Sequence, residues 1–336
     1  MSYEIGTAEN YTDLLERLMD FISNPLREIA SGDTSITELV PIDGDVGSGE
    51  DSQVWTIDRW EDDRDSSGVG NIEMIAHGPG STASDEIYVG IQTYGSSVLG
   101  YYNWKLQGFT GYSVGDDHDV QPGAILSNIP RMLLWNGSIS YWFFANGRRF
   151  HVVAKIDTVY EQCYLGFYLP YGTPVQMSYP LLVGGSSTDG NTLYSAIENS
   201  HRAFFDPGDS NTESTLLLYY NAWYHFCNFV NETAGADLRN VWPWQPGNQG
   251  TGKVYDKWRE LKGAMDMNPV LFPLIMMSAV GSPSRDVFGE IENCFAISLD
   301  TGIVSEDIIT VGVDDYIVFE NIYRKNTYNY CAIKKE

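Results

Sequence analysis

Basic residues are scarce in this chain. Of its 336 residues, 20 are Lys or Arg and 45 are Asp or Glu, which gives a formal net charge of −25. A surface this negative repels a phosphate backbone, so the sequence predicts no binding of nucleic acid. The acidic surplus is typical of a chain that must stay in solution or works in a salty medium. It leaves open a contact with a basic patch on a partner or with a bacterial surface glycan.

Cysteine is also rare, and its spacing excludes two kinds of site. Cys163, Cys227, Cys294 and Cys331 lie 64, 67 and 37 residues apart, so no pair has the C-x-x-C spacing of a zinc knuckle or a redox motif. We expect free, partly buried thiols. A disulfide formed after the protein leaves the cell is the alternative.

Motifs of catalysis and nucleotide binding are missing. The sequence has no H-E-x-x-H pair and no G-x-S-x-G elbow. Gly247-x-x-x-x-Gly252-Lys253 copies most of a phosphate-binding loop, but Val254 replaces the Ser or Thr that would bind magnesium. Residues 116–119 (DDHD) could surround a calcium ion, although neighbouring side chains on a strand point to opposite faces. The sequence predicts no catalytic residue, no cofactor and no metal ion, but its many carboxylates leave glycan hydrolysis open.

Long apolar runs are absent as well. The longest, residues 269–280, is too short to cross a membrane and is interrupted by Pro273. The N-terminal MSYEIGTAEN has neither a basic start nor an apolar stretch, so no signal peptide is expected. We therefore expect synthesis and assembly in the cytosol, without insertion into a membrane.

Aromatic residues and glycine, by contrast, are abundant. The chain has 22 Tyr, 9 Trp and 33 Gly, and 43% of its residues are apolar, which is ample for a core. Short apolar runs separated by turn residues favour a mainly β fold of antiparallel, sandwich-like sheets.

Two Asn-Gly pairs lie in the most aromatic stretch, at positions 136–137 and 146–147. Asn-Gly is the strongest short-range signal for a tight hairpin turn. The two pairs therefore predict a meander of three strands, at residues 131–135, 138–145 and 148–156.

The middle strand of this meander is apolar on both faces. Alternation puts Trp142 and Phe144 on one face and Ile139, Tyr141 and Phe143 on the other. Both faces must be covered, either by the same chain or by a neighbouring subunit.

The N-terminal part has the period of an amphipathic helix. Asn10 can cap it, Asp13 favours its first turn, and Pro25 ends it. Its apolar stripe consists of Tyr11, Leu14, Leu15, Leu18 and Ile22. The helix packs either on its own domain or on a neighbouring subunit.

We divide the chain into four segments. Residues 1–30 form an N-terminal helical segment, and residues 31–70 form an acidic, loop-rich segment in which Trp55 and Trp60 indicate a strand. Residues 71–200 form a β domain with the aromatic meander, and residues 201–336 form a second β-rich part that can pack on the first as one unit. Further strands are expected at 86–93, 100–106, 165–169, 181–183, 296–299, 308–313, 316–321 and 328–333, strand or buried helix at 216–230, and a short helix at 254–262.

Four pieces of the chain resemble structural proteins of tailed-bacteriophage virions. The longest is WNGSISYWFFANGRRFHVVAKIDTVYEQCYLGFYLPYGTPVQMSYPLLVGGSS at residues 135–187. The others occur in the same order as in those proteins, and they are DEIYVGIQTY at 85–94, YYNWKLQGFTGY at 101–112 and EDIITVGVDDYIVFENIYR at 306–324. The resemblance implies a non-enzymatic component of the phage particle. It favours the tail, near the baseplate or tail tip, over the neck or collar.

The resemblance implies a protein that works by association. We expect several copies around a symmetric tail assembly, in contact with one another and with other tail or neck proteins. The chain would be located in the virion after assembly in the host cytoplasm. The residues expected to have a structural or an interface role, and not a chemical one, are Trp135, Tyr141, Trp142, Phe143, Phe167 and Tyr171.

Three further tryptophans flank a Pro- and Gly-rich stretch. Trp242, Trp244 and Trp258 could fill a pocket on a partner, stack on sugar rings or belong to the core. The alternative function is therefore a host-surface or glycan-binding module at the tail tip. A cell-wall hydrolase carried by the particle is a third hypothesis.

Overall fold

A computed structural model of the chain describes residues 1–44, 52–64, 70–80, 87–172, 180–188, 190–195, 215–219, 222–226, 238–242, 269–279, 286–297, 302–320 and 330–335. Over these ranges the chain is mainly β, as the sequence predicts, with one α-helix and one 3₁₀ turn (His118–Val120). The expected helix at 254–262 and the Gly-Lys loop at 247–253 lie outside the described residues.

In chain order the elements are β1 (Ser2–Ala8), α1 (Tyr11–Ser23), β2 (Ile36–Val40), β3 (Thr56–Asp62), β4 (Ile72–Gly78), β5 (Ile87–Ser96), β6 (Tyr101–Phe109), β7 (Arg131–Leu134), β8 (Ile139–Asn146), β9 (Arg149–Ile156), β10 (Val159–Phe167), β11 (Leu169–Pro170), β12 (Leu181–Gly184), β13 (Thr215–Tyr219), β14 (Ala222–Phe226), β15 (Leu238–Trp242), β16 (Leu271–Ala279), β17 (Asp286–Ile297), β18 (Ile308–Val311), β19 (Asp314–Glu320) and β20 (Tyr330–Lys334).

The strands form three antiparallel sheets. The central sheet has the order β14-β13-β12-β10-β9-β8-β1-β2, the five-stranded sheet has the order β3-β4-β5-β6-β7, and the seven-stranded sheet has the order β15-β16-β17-β20-β19-β18, with β11 paired to β17. Side chains from the two faces of the central sheet enter two different apolar clusters. The protein is therefore a stack of three layers, with the central sheet in the middle.

The first core lies between the central sheet, the five-stranded sheet and helix α1. It takes the alternate positions Ile139, Tyr141, Phe143 and Ala145 of β8. They meet apolar side chains of α1 and of the five-stranded sheet, among them Leu14, Leu18, Phe21, Ile72, Met74, Val89, Ile91, Trp104 and Leu106. Since each buried apolar side chain contributes roughly 1.5–3 kcal/mol, this cluster is a major source of stability.

The second core lies between the central sheet and the seven-stranded sheet. Trp142 and Phe144 of β8 enter it, and Phe319 of β19 packs edge-on against both rings, at centroid distances of 5.1 and 6.4 Å. The alternation read from the sequence is thus confirmed. The sequence left open whether the same chain or a neighbouring subunit covers the two faces of β8. The structure shows that the same chain covers both.

Helix α1 forms as its pattern predicts. Asn10 has extended backbone, and its Oδ1 accepts hydrogen bonds from the N–H groups of Thr12 (2.9 Å) and Asp13 (3.0 Å). The predicted stripe is buried, together with Phe21. Its partners are strands of the same chain, so this helix packs on its own domain.

One of the two Asn-Gly pairs makes a hairpin and the other does not. At 146–147, Asn146 pairs with Arg149, and Asn146 Oδ1 accepts hydrogen bonds from the N–H groups of Arg148 (2.9 Å) and Arg149 (3.1 Å). At 136–137 the prediction is wrong, because β7 pairs with β6 while β8 pairs with β1 and β9. The chain there crosses from the five-stranded sheet to the central sheet.

A glycine is required at 147 because other backbone and side-chain atoms approach it. A Cβ on Gly147 would lie 2.8 Å from Pro79 Cγ and 3.1 Å from Gln53 Oε1, whereas a Cβ on Gly137 would lie 3.4 Å from Trp135 Cε2. We expect Gly147→Ala to lower the free energy of unfolding by about 1–3 kcal/mol, since overpacking displaces neighbouring groups. Urea denaturation measures this, with Gly137→Ala as the matched control. Equal losses in the two variants would contradict the packing argument.

The sheets do not follow the segment boundaries expected from the sequence. Strand β1, in the part expected to be helical, was missed, and it pairs with β8 and β2 inside the central sheet. Strands β13 and β14 belong to the same sheet as β8, although they lie beyond residue 200. Residues 216–230, left open as strand or helix, are strand where they are described. The strand signalled by Trp55 and Trp60 is β3.

Candidate interaction surface

Four of the residues expected in an interface lie in the interior. Tyr141 and Phe143 are fully buried, Trp142 is 6% exposed and Phe167 is 5% exposed. A folded protomer cannot offer these side chains to a neighbour. The prediction that they form an intermolecular contact is therefore corrected to the structural role. Helix α1 and the two flanking sheets cover the three residues on β8, and Phe167, at the end of β10, belongs to the first core.

The remaining expected contact residues lie in several places. Trp135 is partly buried, donates from Nε1 to Ser138 O (3.1 Å) and packs edge-on against Tyr194. Tyr171 is 51% exposed and donates to Glu290 Oε2 at 2.6 Å. Trp242 ends strand β15 at an edge of the seven-stranded sheet. The described residues do not include Trp244 and Trp258.

Tyr171 is held as a hydrogen-bond donor. Its partial burial, together with the bond to the Glu290 carboxylate, raises the pKa of Tyr171 to about 12. Of the expected contact residues, it is the one whose ring is mostly accessible in the described part of the chain.

An ordered loop at residues 110–126, here called the acidic loop, covers part of the outer face of the five-stranded sheet. Arg59 Nη2 donates to the carbonyls of Asp116 (2.7 Å) and Val114 (3.3 Å). The Gln121 side chain donates to the carbonyls of Ser113 and Asp116 and accepts from the Ser113 N–H. These bonds fix the loop backbone.

A second set of contacts holds the far end of the acidic loop. Gln107, on β6, donates from Nε2 to Ile125 O (3.1 Å) and accepts from Ile125 N–H (2.9 Å). Gln107 lies on the outward face of β6, where Asn103 and Lys105 are polar too, so the sequence did not single it out as an anchor. Ordering by side chains on neighbouring strands lowers the entropy that the loop would lose on binding a partner.

The acidic residues of this loop do not converge on a metal site. Asp119 bonds Lys105 Nζ (2.8 Å) and the His118 ring (3.3 Å), while His118 is buried edge-on against Phe109. The bond from His118, together with the nearby Lys105, holds the pKa of Asp119 well below its usual range. Within the ranges that the structure describes, no group of three or more His, Cys, Asp or Glu side chains could hold a metal ion.

The acidic loop exposes three large apolar side chains at separate points along its length. Val114 is 82% exposed, Val120 61% and Leu126 85%, and Asp116, Asp117 and Asp119 are exposed beside them. Exposed apolar side chains on a fixed backbone within a charged rim are typical of a protein contact surface.

An open groove of about 620 Å³ lies elsewhere, beside the end of helix α1. Its lining is mostly apolar and consists of Met1, Ser2, Pro25, Leu26, Val40, Pro41, Ile42, Asp43 and Gly44. Asp43 is the one carboxylate in this lining, so the groove does not offer the carboxylate pair that glycan hydrolysis uses.

The cysteines in the described part of the chain are buried thiols. Cys163, Cys294 and Cys331 are free, as expected, and they are fully rather than partly buried, whereas Cys227 lies outside the described residues. Burial raises the pKa of Cys163 and of Cys294 above the ordinary range, which disfavours the reactive thiolate.

A buried ion pair fastens the segment that follows helix α1 to the central sheet. Arg27 donates from Nε to Glu4 Oε2 and from Nη2 to Glu4 Oε1 (3.0 Å), and its Nη1 pairs with Asp20. Tyr141 donates its hydroxyl to Glu4 Oε1 at 2.6 Å. Burial and the Glu4 carboxylate raise the pKa of Tyr141, so it remains a donor.

No model of a known protein family matches the chain, and no curated protein is significantly similar to it. None of the helices in the described ranges has the length and apolar character needed to cross a membrane.

Proposed function

We propose that this chain is a non-enzymatic structural protein of a tailed-phage virion, assembled into the tail near the baseplate or tail tip. The resemblance of residues 135–187 and three shorter pieces to virion proteins supports the proposal. The observation that carries it is the acidic loop, a fixed backbone that holds exposed apolar side chains. The neck or collar remains the alternative location in the particle.

The mode of assembly follows from the burial pattern. Because the aromatic faces of the central sheet are filled by the chain itself, contacts with other tail proteins and with further copies must use the exposed surface. On the acidic loop, apolar side chains would supply contact area, and the surrounding carboxylates would select a partner with a basic rim. The three stacked sheets would serve as a rigid support.

The first test locates the chain in the particle. A phage whose copy of this gene is disabled is grown in cells that supply the chain from a plasmid, and purified particles are analysed by quantitative mass spectrometry. We expect a constant number of copies per particle. Infectious particles that contain no copy would overturn the proposal.

The second test concerns the acidic loop. We expect the double variant Val114→Asp with Leu126→Asp to reduce incorporation by about tenfold or more, because each apolar side chain buried in a contact contributes roughly 1.5–3 kcal/mol. Mass spectrometry of the purified particles measures incorporation. Val98→Asp is the matched control, since Val98 is 90% exposed on a turn of the five-stranded sheet and lies outside the acidic loop.

Two outcomes of this second test would contradict its premise. Unchanged incorporation of the double variant would show that the acidic loop is not the contact. If incorporation were unchanged and adsorption to host cells were lost, the host-surface module would replace the scaffold as the function.

A further inference from the structure

Strand β18 is an edge of the seven-stranded sheet, and no strand pairs with its outer side among the residues that the structure describes. Proteins usually guard such edges with charged residues or with covering segments, because an edge strand has backbone groups that can pair with another chain. Edge strand β2 carries Glu38, and edge strand β3 carries Asp58, Arg59, Glu61 and Asp62. At edge strand β7, residues 186 and 187 hydrogen-bond to the Arg131 backbone.

Among the edges whose side chains the structure describes, β18 lacks these devices. Its sequence, IITV, has no charged residue. Ile308 is 54% exposed and Val311 is 39% exposed, and Val304 and Val313 beside the strand are more exposed still. Apolar side chains are therefore exposed on both faces of this edge strand and in the segments beside it, in a chain with a formal net charge of −25.

The hairpin geometry shows which backbone groups are free. Val311 pairs with Asp314 across a two-residue loop, and Gly312 takes φ +69° as the first loop residue. In such a hairpin the two residues that flank the loop, Val311 and Asp314, exchange both of their backbone hydrogen bonds. Along β18, every second residue from Val311 then bonds β19, and the residues between them direct their backbone groups away from β19. Ile309 and Val311 therefore bond β19, while the N–H and C=O groups of Ile308 and Thr310 point away from it.

The strand is held firmly on its paired side. Glu306, with φ +76°, bonds Lys155 Nζ and the hydroxyl of Tyr160 in the central sheet, both at hydrogen-bond distance. These bonds lower the pKa of Glu306 although its partial burial opposes them. Thr310 Oγ1 donates to Asp315 Oδ1 at 2.6 Å. The edge is thus preorganised to receive a strand.

The charges around the edge specify the partner. Residues 302–320 include Glu306, Asp307, Asp314, Asp315 and Glu320 and no Lys or Arg. Lys155 and Lys334 pair with two of these carboxylates, Glu306 and Asp314. A second copy of β18 would bring like charges together, and a strand flanked by basic residues would meet opposite ones.

We propose that β18 is a docking edge for an extended segment of another protein, with alternating apolar side chains and flanking Lys or Arg residues. The segment adds a strand to the seven-stranded sheet through the backbone groups of Ile308 and Thr310. This site is separate from the acidic loop and does not depend on the function proposed above.

The test uses two labelled peptides and fluorescence anisotropy. One is KKVTVTVKK, and the other is EEVTVTVEE. We expect the full-length protein to bind the lysine peptide and to bind the glutamate peptide at least about tenfold more weakly, as charge complementarity requires.

Variants of β18 separate backbone pairing from general attraction. Thr310→Pro removes an N–H that faces the free edge and no backbone bond to β19, so it should weaken binding of the lysine peptide by about tenfold or more. It also loses the side-chain bond from Thr310 Oγ1 to Asp315, but Thr310→Val loses the same bond and therefore controls for it. Thr310→Val keeps this N–H and should stay within about twofold of the native affinity. Ile308→Lys, which leaves the backbone unchanged, should weaken binding through repulsion of the basic peptide.

The proposal fails if the lysine peptide does not bind, if both peptides bind equally, or if Thr310→Pro and Ile308→Lys both bind like the native protein. It also fails if Thr310→Pro instead abolishes a dimer seen by analytical ultracentrifugation, because the occupant would then be a second copy.

Discussion

The variant Glu4→Ala is expected to lose about 3–5 kcal/mol of the free energy of unfolding. Glu4 is fully buried and binds both Arg27 and Tyr141, so its removal leaves Nε and Nη2 of the Arg27 guanidinium and the Tyr141 hydroxyl without this acceptor in the interior. Nη1 of Arg27 keeps its pairing with Asp20, whose side chain is 45% exposed. Breaking a buried ion pair on one side is strongly destabilising because the remaining charge stays desolvated. Urea denaturation followed by tryptophan fluorescence measures the loss.

The matched control is the pair of Glu38 with Lys335, in which the Glu38 side chain is 45% exposed. Glu38→Ala should cost about 1 kcal/mol or less, since exposed pairs are screened by solvent. The double variant Glu4→Ala with Arg27→Ala should lose less than the sum of the two single variants, because no buried charge is left from the pair. A Glu4→Ala loss no larger than that of Glu38→Ala would contradict the assignment.

The second large effect concerns acid. His151 lies between the central sheet and the seven-stranded sheet, and its Nε2 is 3.1 Å from Gln162 Oε1. Burial, together with the nearby Arg149 guanidinium, lowers the pKa of His151 from 6.5 to about 3. Folded His151 is therefore neutral, whereas the unfolded chain takes up a proton on this residue below pH 6.5.

The direction of the pH effect follows from this difference. The stabilising contribution of His151 is complete above pH 6.5 and is lost as the pH falls towards 3, since the unfolded state binds more protons in that window. The slope is about 1.4 kcal/mol per pH unit, so about 2–3 kcal/mol should disappear between roughly pH 6.5 and pH 4.5.

Comparison of variants isolates this contribution from the carboxylates that titrate in the same range. His151→Phe should reduce the slope of the unfolding free energy against pH by up to about 1.4 kcal/mol per pH unit, which corresponds to one proton. Val153→Ala, on the same buried face of β9, should lower stability equally at every pH and keep the native slope. Parallel curves for the native protein and His151→Phe would contradict the burial argument.

Sequence patterns predicted the elements whose signals are local. The helix follows from a cap at Asn10 and a stripe of apolar residues at helical spacing, and both signals lie within one short segment. For the strands expected at 308–313 and 316–321, the sequence indicated a hairpin that turns at either Asp314-Asp315 or Gly312. The turn lies at Gly312, which takes positive φ without a Cβ penalty. The two faces of β8 follow from alternation alone.

Elements that form through distant partners were not predictable in this way. The segment of β1 has no strong strand pattern, and it becomes a strand because β8 and β2 offer hydrogen-bonding edges on either side. The turn expected at Asn136 was wrong for a related reason, since β7 finds a better partner in β6 than in β8. The anchoring of the acidic loop by Arg59 and Gln107 likewise joins residues far apart in the chain.

The amino-acid sequence by itself determined the β-rich character, the acidic surface, the N-terminal helix and the two apolar faces of β8, because composition and short-range periodicity act within a few residues. Only the tertiary structure decided that those faces are covered by the chain's own layers and that an uncharged edge remains at β18. Strand order and burial depend on which distant segments pack together, and the free energy of packing over all three sheets determines this arrangement.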